Sequence, residues 1–381
     1  MLTEGNIFCQ PSWVMQSNSV VMSITQSGAQ MAPVDFDLPG NQRVQPYYIS
    51  PWQREGYADF DGRSEGPLRG DFFCLPFGHA GPKDGVHPHG RAAGSRWSLS
   101  GYKSRGKVHE LDIHMENALR SANIRRQFFL VDDEAVVYDR TTVTDLEGAH
   151  TLGHHAVLRP PLRESAFLLS TSRQVFGMTY PVAFADLAEE EHQSLAIGAL
   201  FDDLSSVTSI FRDTADADCS VYPARRGFTD LLQVAVAADA GQPAWSAAVN
   251  TEENYLWFSL RDPGLLPSTI LWFENAGRHR PPWSGRNVSI GMEDVCSFFD
   301  LGSEVSGEAN AFTKRGIKTV HDFGNGLPLS IPYVQGVIQT PSGFGHVHCF
   351  SCGDSGVTFA DEAGREVCGA LRTHFVFGEE L

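Results

Sequence analysis

Apolar and polar positions alternate with period two along much of this chain, and sustained helical periodicity is scarce. Residues 13–38 show the pattern first. Val20, Met22 and Ile24 share one face, Gly28-Ala29 turns the chain, and residues 31–36 return. Alternation broken by a glycine turn predicts a hairpin. An aromatic loop follows at residues 46–52, and strand-like runs come at 127–131, 135–138 and 141–144, with turns at Asp132-Asp133 and Glu147-Gly148. Residues 231–238 read as a continuous buried strand, and 255–260 and 268–273 as further strands. The tail from Leu329 adds more, ending at 373–377. Helix is expected only at 183–191 and around 307–314. The 37 glycines and 21 prolines supply the turns that dense sheets require. No repeat, low-complexity linker or shift in composition divides the chain, which predicts one all-β domain over residues 1–381.

The stretch 272–299 combines these patterns with chemistry. An apolar strand, residues 270–273, runs into a loop of Gly, Pro and Arg that contains Trp283. A second apolar run, 288–292, then delivers Glu293 and Asp294 at its end. Carboxylates at the tip of a buried strand lose solvation, which raises their proton affinity and suits acid–base work. The structural alternative is an ion pair with Arg278 or Arg286.

Charge and cysteine content narrow the partners. With 29 basic and 46 acidic residues the chain carries a net charge of −17, which argues against nucleic acid or an anionic membrane. A small neutral or cationic ligand fits better. No secretory signal and no apolar run of membrane-spanning length is visible. Seven thinly scattered cysteines are not a disulfide framework, and a reduced cytoplasmic protein is expected.

Three clusters hold the polar groups of interest: His79/His87/His89, His154/His155 and Glu293/Asp294. The first lies in 71–97, a loop with five glycines and three prolines. A structureless loop of that length in a compact protein is functional or disordered, and its aromatic content favours function. Gly81 and His87-Pro88-His89 match the start of a cupin metal motif, but positions 93 and 94 are alanine and glycine where a glutamate ligand is needed. An echo of the second cupin motif at residues 341–346 lies too far along the chain for one cupin barrel. His346, His348, Cys349 and Cys352 have zinc-like spacing, yet Cys349 would face away from the other three on a strand, so a core strand with polar ends is expected there. Phosphate loops, dinucleotide fingerprints and esterase elbows are missing from the sequence. Metal-free acid–base chemistry from histidine and glutamate in a loop-lined cleft remains.

Taken in order, these features resemble the galactose mutarotase-like superfamily, the aldose 1-epimerases and their relatives. The elements that carry the resemblance are the Gly28-Ala29 hairpin, the Pro76-Phe77-Gly78 loop leading to His89-Gly90 and Trp97, the strands before His154-His155, and the late strand carrying Glu293. Together they span most of residues 13–300. The resemblance implies a β-supersandwich of large antiparallel sheets with few short helices and a sugar cleft. It further implies a cofactor-independent isomerase that interconverts the anomers of a free sugar, with Glu293 as base, His155 as acid and His89 polarising the sugar. Which of His154 and His155 lines the cleft is open, because neighbours on a strand face opposite ways. Arg91, Arg278 and Arg286 could donate to sugar hydroxyls, Trp52, Trp97 and Trp283 could stack on the ring, Asp230 stands in for the family's sugar-binding aspartate, and Arg43 for its arginine. The expected partner is a small carbohydrate, with no nucleic acid, membrane, metal or cofactor, for a monomer or homodimer. The alternatives are a carbohydrate-binding protein on the same fold and, more distantly, a cupin-type metalloenzyme.

Overall fold

The computed structural model describes residues 1–55, 62–79, 87–211, 216–237, 239, 241–324, 326–353 and 356–381. Two large antiparallel sheets dominate. The nine-stranded sheet runs in the order Val221–Tyr222, Phe167–Thr171, Ala244–Asn250, Tyr255–Arg261, Leu329–Gln339, Val136–Thr144, Ala122–Val131, Val108–Leu119 and Ser98–Arg105. The seven-stranded sheet runs Leu200–Phe201, Gln174–Thr179, Phe228–Val236, Ser268–Asn275, Val288–Cys296, Leu152–Leu158 and Phe73–Cys74. A five-stranded N-terminal sheet packs into the same apolar core through Met22, Ile24, Val34 and Phe36.

The central strands explain the site. Leu152–Leu158 and Ser268–Asn275 are buried at every position, because one face meets the main core and the other lies under an aromatic layer. That layer includes Phe72, Phe77, Trp272, Trp283, Phe298 and Phe299. A sheet covered on both sides can carry ionisable groups on either face only if each finds a partner or opens to a cavity. On the far side of the molecule, the three strands between Val347 and Ala370 cover the nine-stranded sheet through Val347, Val357 and Phe359.

Several expectations change in detail. The alternating 13–38 stretch contains the predicted hairpin, Val20–Thr25 with Met31–Leu38, plus the end of an earlier strand, Gln10–Gln16. Runs 135–138 and 141–144 form one continuous strand, since Asp139 and Arg140 between them are buried and paired. The helix expected at 183–191 is a single 3-10 turn, Leu187–Glu189, capped by the Asp186 side chain. The later helix sits earlier than expected, at Gly302–Ser306. Thr373–Phe377 is a 3-10 helix, not a strand, and Phe375 docks edge-on to Phe129 and Tyr138. Val347–Gly353 is largely exposed, contrary to the core strand expected there, because it lies at the edge of its sheet. Residues 80–86 of the long loop, with Gly81, lie outside the described residues, as does Ala238 at the end of a predicted strand.

Candidate active site

Glu293 and Asp294 do not end their strand. Val288–Cys296 continues past them and pairs with Leu152–Leu158 in a register that sets Glu293 opposite His155 and Asp294 opposite His154. Alternation along a strand sends the two pairs to opposite faces of the sheet. His155 and Glu293 line a cavity of about 520 Å³ together with Phe72, His89, Tyr180, Trp272, Arg278, Trp283 and Asp300. His154 and Asp294 point into the interior between the sheets.

In the cavity, His155 Nε2 lies 3.3 Å from Glu293 Oε1. The imidazole stacks on Phe72 at 4.6 Å and meets the His89 ring edge-on at 5.0 Å. Gly291 creates the room for Glu293: a Cβ there would sit 2.3 Å from Oε1. Among the described residues, no arginine forms an ion pair with Glu293. Arg278, whose charge acts on it, is tied instead to Glu274 at 3.7 Å and lies over the faces of Trp272 and Trp283 at 5.1 and 5.0 Å.

This environment disfavours charge on both partners. Burial pushes the Glu293 carboxyl well above its ordinary range, Asp300 adds to the shift, and Arg278 opposes it. Burial likewise pushes His155 well below its ordinary value, with His89 and Arg278 acting the same way. His89 is driven down to about 4, again mainly by burial. The pair therefore shares one proton in preference to forming a separated ion pair.

His89 owes its position to a chain of glycines. Its own backbone is left-handed, and its amide donates to the Gly78 carbonyl at 2.7 Å. A Cβ on Gly90 would lie 2.0 Å from the Leu75 carbonyl oxygen, and one on Gly78 would lie 2.2 Å from that of Asp300. Both glycines also have positive φ. Side chains at either position would separate the loop from the sheet and withdraw the imidazole.

The interior face has a different character. His154 Nδ1 contacts Asp71 Oδ2 at 3.0 Å, and its ring stacks on Tyr333 at 3.9 Å. Arg126 joins Asp71 to Asp139, and all four groups are buried. Asp71, Asp139 and His154 converge closely enough to ligate a metal, but the Arg126 guanidinium already supplies the cation between the carboxylates. Asp294 accepts hydrogen bonds from Ser246, Ser259, Thr269 and Tyr333 and pairs with Arg261 at 2.8 Å.

The other nominated residues divide clearly. Arg278 and Trp283 line the cavity, and Trp52 packs behind Trp283 with ring centroids 4.9 Å apart. Arg91 turns outward to the Asn117 carbonyl because the short helix Gly90–Gly94 redirects the chain. Trp97 is buried beneath that helix, its indole N–H donating to the Ala92 carbonyl. Arg286 grips the Glu55 carboxylate with both terminal nitrogens at 2.6 Å, and Arg43 pairs with Asp37 on the surface. Asp230 is one register position off: Leu231 faces the cavity, while Asp230 binds the Ser194 and Leu195 amides beside a separate hollow of about 250 Å³. Phe72, Tyr180, Trp272 and Asp300 were missed. Apolar patterning marks Phe72 and Trp272 only as core, and the loops that bring in Tyr180 and Asp300 carry no motif.

Sheet order and cavity together define an all-β supersandwich, and the chain has the galactose mutarotase-like fold. A galactose mutarotase-like protein from Clostridium acetobutylicum superimposes with a TM-score of 0.62 at 12% identity, covering 89% of this chain and 99% of that one. A galactose mutarotase related enzyme from Lactobacillus acidophilus gives 0.52 at 10% identity over 86% and 98%. A protein from Klebsiella pneumoniae, provisionally termed an aldose 1-epimerase, gives 0.55 at 14% identity over 87% and 80%. Such low identities show the fold alone. No protein-family model and no curated protein matches the sequence. Among the described residues, no helix is long and apolar enough to cross a membrane.

Proposed function

We propose that this chain is a cofactor-independent isomerase of the aldose 1-epimerase kind, interconverting the α and β anomers of a free sugar. The observation that carries the reading is the contact between His155 and Glu293 beside His89 in an aromatic-lined cavity. Anomer exchange needs a base for the proton on the anomeric hydroxyl and an acid for the ring oxygen. As the hydroxyl loses its proton, its oxygen becomes the carbonyl. The bond from C1 to the ring oxygen breaks, and the ring oxygen gains a proton. Rotation about C1–C2 followed by the reverse steps gives the other anomer with no net proton change.

Glu293 serves as base and His155 as acid when the proton they share sits on the imidazole, and His89 polarises the sugar. Both reacting oxygens are bonded to the same carbon, so the acid and base work side by side and need not flank the ring. A shared proton suits them, because ring opening and closing move it in opposite directions. Trp283 and Trp272 offer apolar faces to the sugar, and Arg278 offers N–H donors. The reading takes residues 1–381 as one cytoplasmic domain, monomeric or homodimeric, with a small sugar as its partner.

Polarimetry of freshly dissolved α-D-glucose and α-D-galactose, with and without protein, tests the reading. Acceleration over buffer that disappears in His155→Asn is expected. Sugar binding without acceleration would instead favour a carbohydrate-binding protein on the same fold.

A further inference from the structure

Asp300 lies beside the reactive pair, and its setting differs from that of every carboxylate on the interior face. It lines the same cavity as Glu293, His155 and His89 and is partly exposed there. One carboxylate oxygen, Oδ1, accepts the Tyr180 hydroxyl at 2.7 Å, and among the described residues no other side-chain hydrogen bond or ion pair engages it. After burial, Asp300 is the largest influence raising the proton affinities of both Glu293 and His89.

Its position is firmly set. The Asp300 carbonyl accepts the His79 amide at 2.7 Å, and Gly78 leaves no room between the two loops. Tyr180 is held in turn by edge-on contacts with Phe184 at 5.1 Å and Phe299 at 5.3 Å. A carboxylate fixed by one oxygen, with the other open to a cavity, is a preorganised acceptor, and ionised carboxylates only accept. Sugar hydroxyls are the matching donors.

We infer that Asp300, held by Tyr180, is a specificity-determining residue that accepts hydrogen bonds from hydroxyls of the bound aldose away from the anomeric carbon. Glu293 and His155 serve the anomeric centre, and Asp300 is bonded to neither. The inference rests on the sugar site proposed above. It assigns the cavity two polar groups besides the reactive pair, Asp300 for hydroxyl donors and Arg278 for hydroxyl acceptors.

Calorimetric titration of wild-type protein, Asp300→Asn and Tyr180→Phe with D-glucose, D-galactose and their monodeoxy analogues tests this. In the wild type, deleting the contacted hydroxyl should weaken binding by about ten- to a hundredfold, the usual worth of a hydrogen bond to a charged group. Asp300→Asn should bind the parent sugar more weakly by a similar factor and no longer distinguish it from that analogue. Tyr180→Phe should narrow the same gap by less. A uniform loss across parent and analogues in Asp300→Asn, or unchanged selectivity, would overturn the assignment. Anomer exchange measured on the same samples separates the two proposals. Selectivity that depends on Asp300 without accelerated exchange removes the isomerase and leaves Asp300 in place. Accelerated exchange with selectivity indifferent to Asp300 does the reverse, and a wild type that binds none of these sugars overturns both.

Discussion

Four ionisable residues on two paired strands show how one backbone register can separate chemistry from structure. His154 and Asp294 point inward, each with a partner of opposite charge or polarity: Asp71 for the imidazole, and Arg261 with four hydroxyls for the carboxylate. One position along each strand, His155 and Glu293 point outward and have chiefly each other, at 3.3 Å, beside a cavity. The inward groups are just as deeply buried, but each has a fixed partner of opposite charge. The outward pair is left in an apolar wall with its proton affinities displaced towards neutrality. Burial alone therefore does not mark a reactive group. Burial without a fixed counter-ion, next to open space, does.

Breaking each face should produce opposite results. On the cavity side, His155→Asn removes a proton donor, and the exchange rate should fall by about 10²- to 10⁴-fold with folding intact, as saturation-transfer NMR would report. On the interior side, Arg261→Met leaves the Asp294 carboxylate without its cation. Chemical denaturation should show a loss of about 3–5 kcal/mol, the typical effect of breaking a buried pair by deleting one member.

Gly291→Ala sharpens the contrast within a single strand. The new methyl would meet Glu293 Oε1, the end of a flexible side chain, at 2.3 Å and the Trp272 Cβ at 3.1 Å, so the carboxylate should move while the neighbouring strand gives by a few tenths of an ångström. Exchange should drop by roughly a hundredfold, the effect of about 1 Å of misplacement, with little change in the melting temperature.

Acidity gives a subtler comparison. In the unfolded chain Glu293 loses its proton near its ordinary value of 4.5, whereas the folded chain retains it to higher pH. Glu293 therefore lowers stability as pH rises from 4.5 towards its folded value, and glutamine removes that slope. The melting temperature of Glu293→Gln relative to wild type should rise between about pH 5 and pH 8. His89 acts in the other direction: as pH falls from 6.5 towards about 4, the unfolded chain takes a proton that the folded one refuses, and stability declines. The smallest effect belongs to Arg286→Ala. Its pair with Glu55 is part-exposed, so thermal unfolding should register less than about 1 kcal/mol and exchange should be unchanged.

Much of this arrangement is legible in the sequence, because sheet proteins write their faces in alternation. The Gly28-Ala29 hairpin follows from the pattern, and the strands expected at 231–238, 255–260 and 268–273 overlap those observed at 228–236, 255–261 and 268–275. Glu293, His155 and His89 are nominated by the resemblance of their motifs, in order along the chain, to the galactose mutarotase-like superfamily. What alternation cannot supply is phase where both faces are buried. His154 and His155 look alike in a strand without a polar side, and Asp230 and Leu231 exchange places for the same reason. The loop residues fail differently. Arg91 and Trp97 follow His89 closely in sequence, but a five-residue helix carries them off. Tyr180 and Asp300 reach the cavity from segments separated by more than a hundred residues, joined by a hydrogen bond that no local pattern announces.

The most direct test of the division between the two faces compares Glu293→Gln with wild type in one sample series, following anomer exchange by NMR and unfolding by calorimetry. The account predicts that exchange falls to the buffer rate while the melting temperature holds or increases. Undiminished exchange, or a melting temperature that collapses as it would for an interior charge, would contradict it.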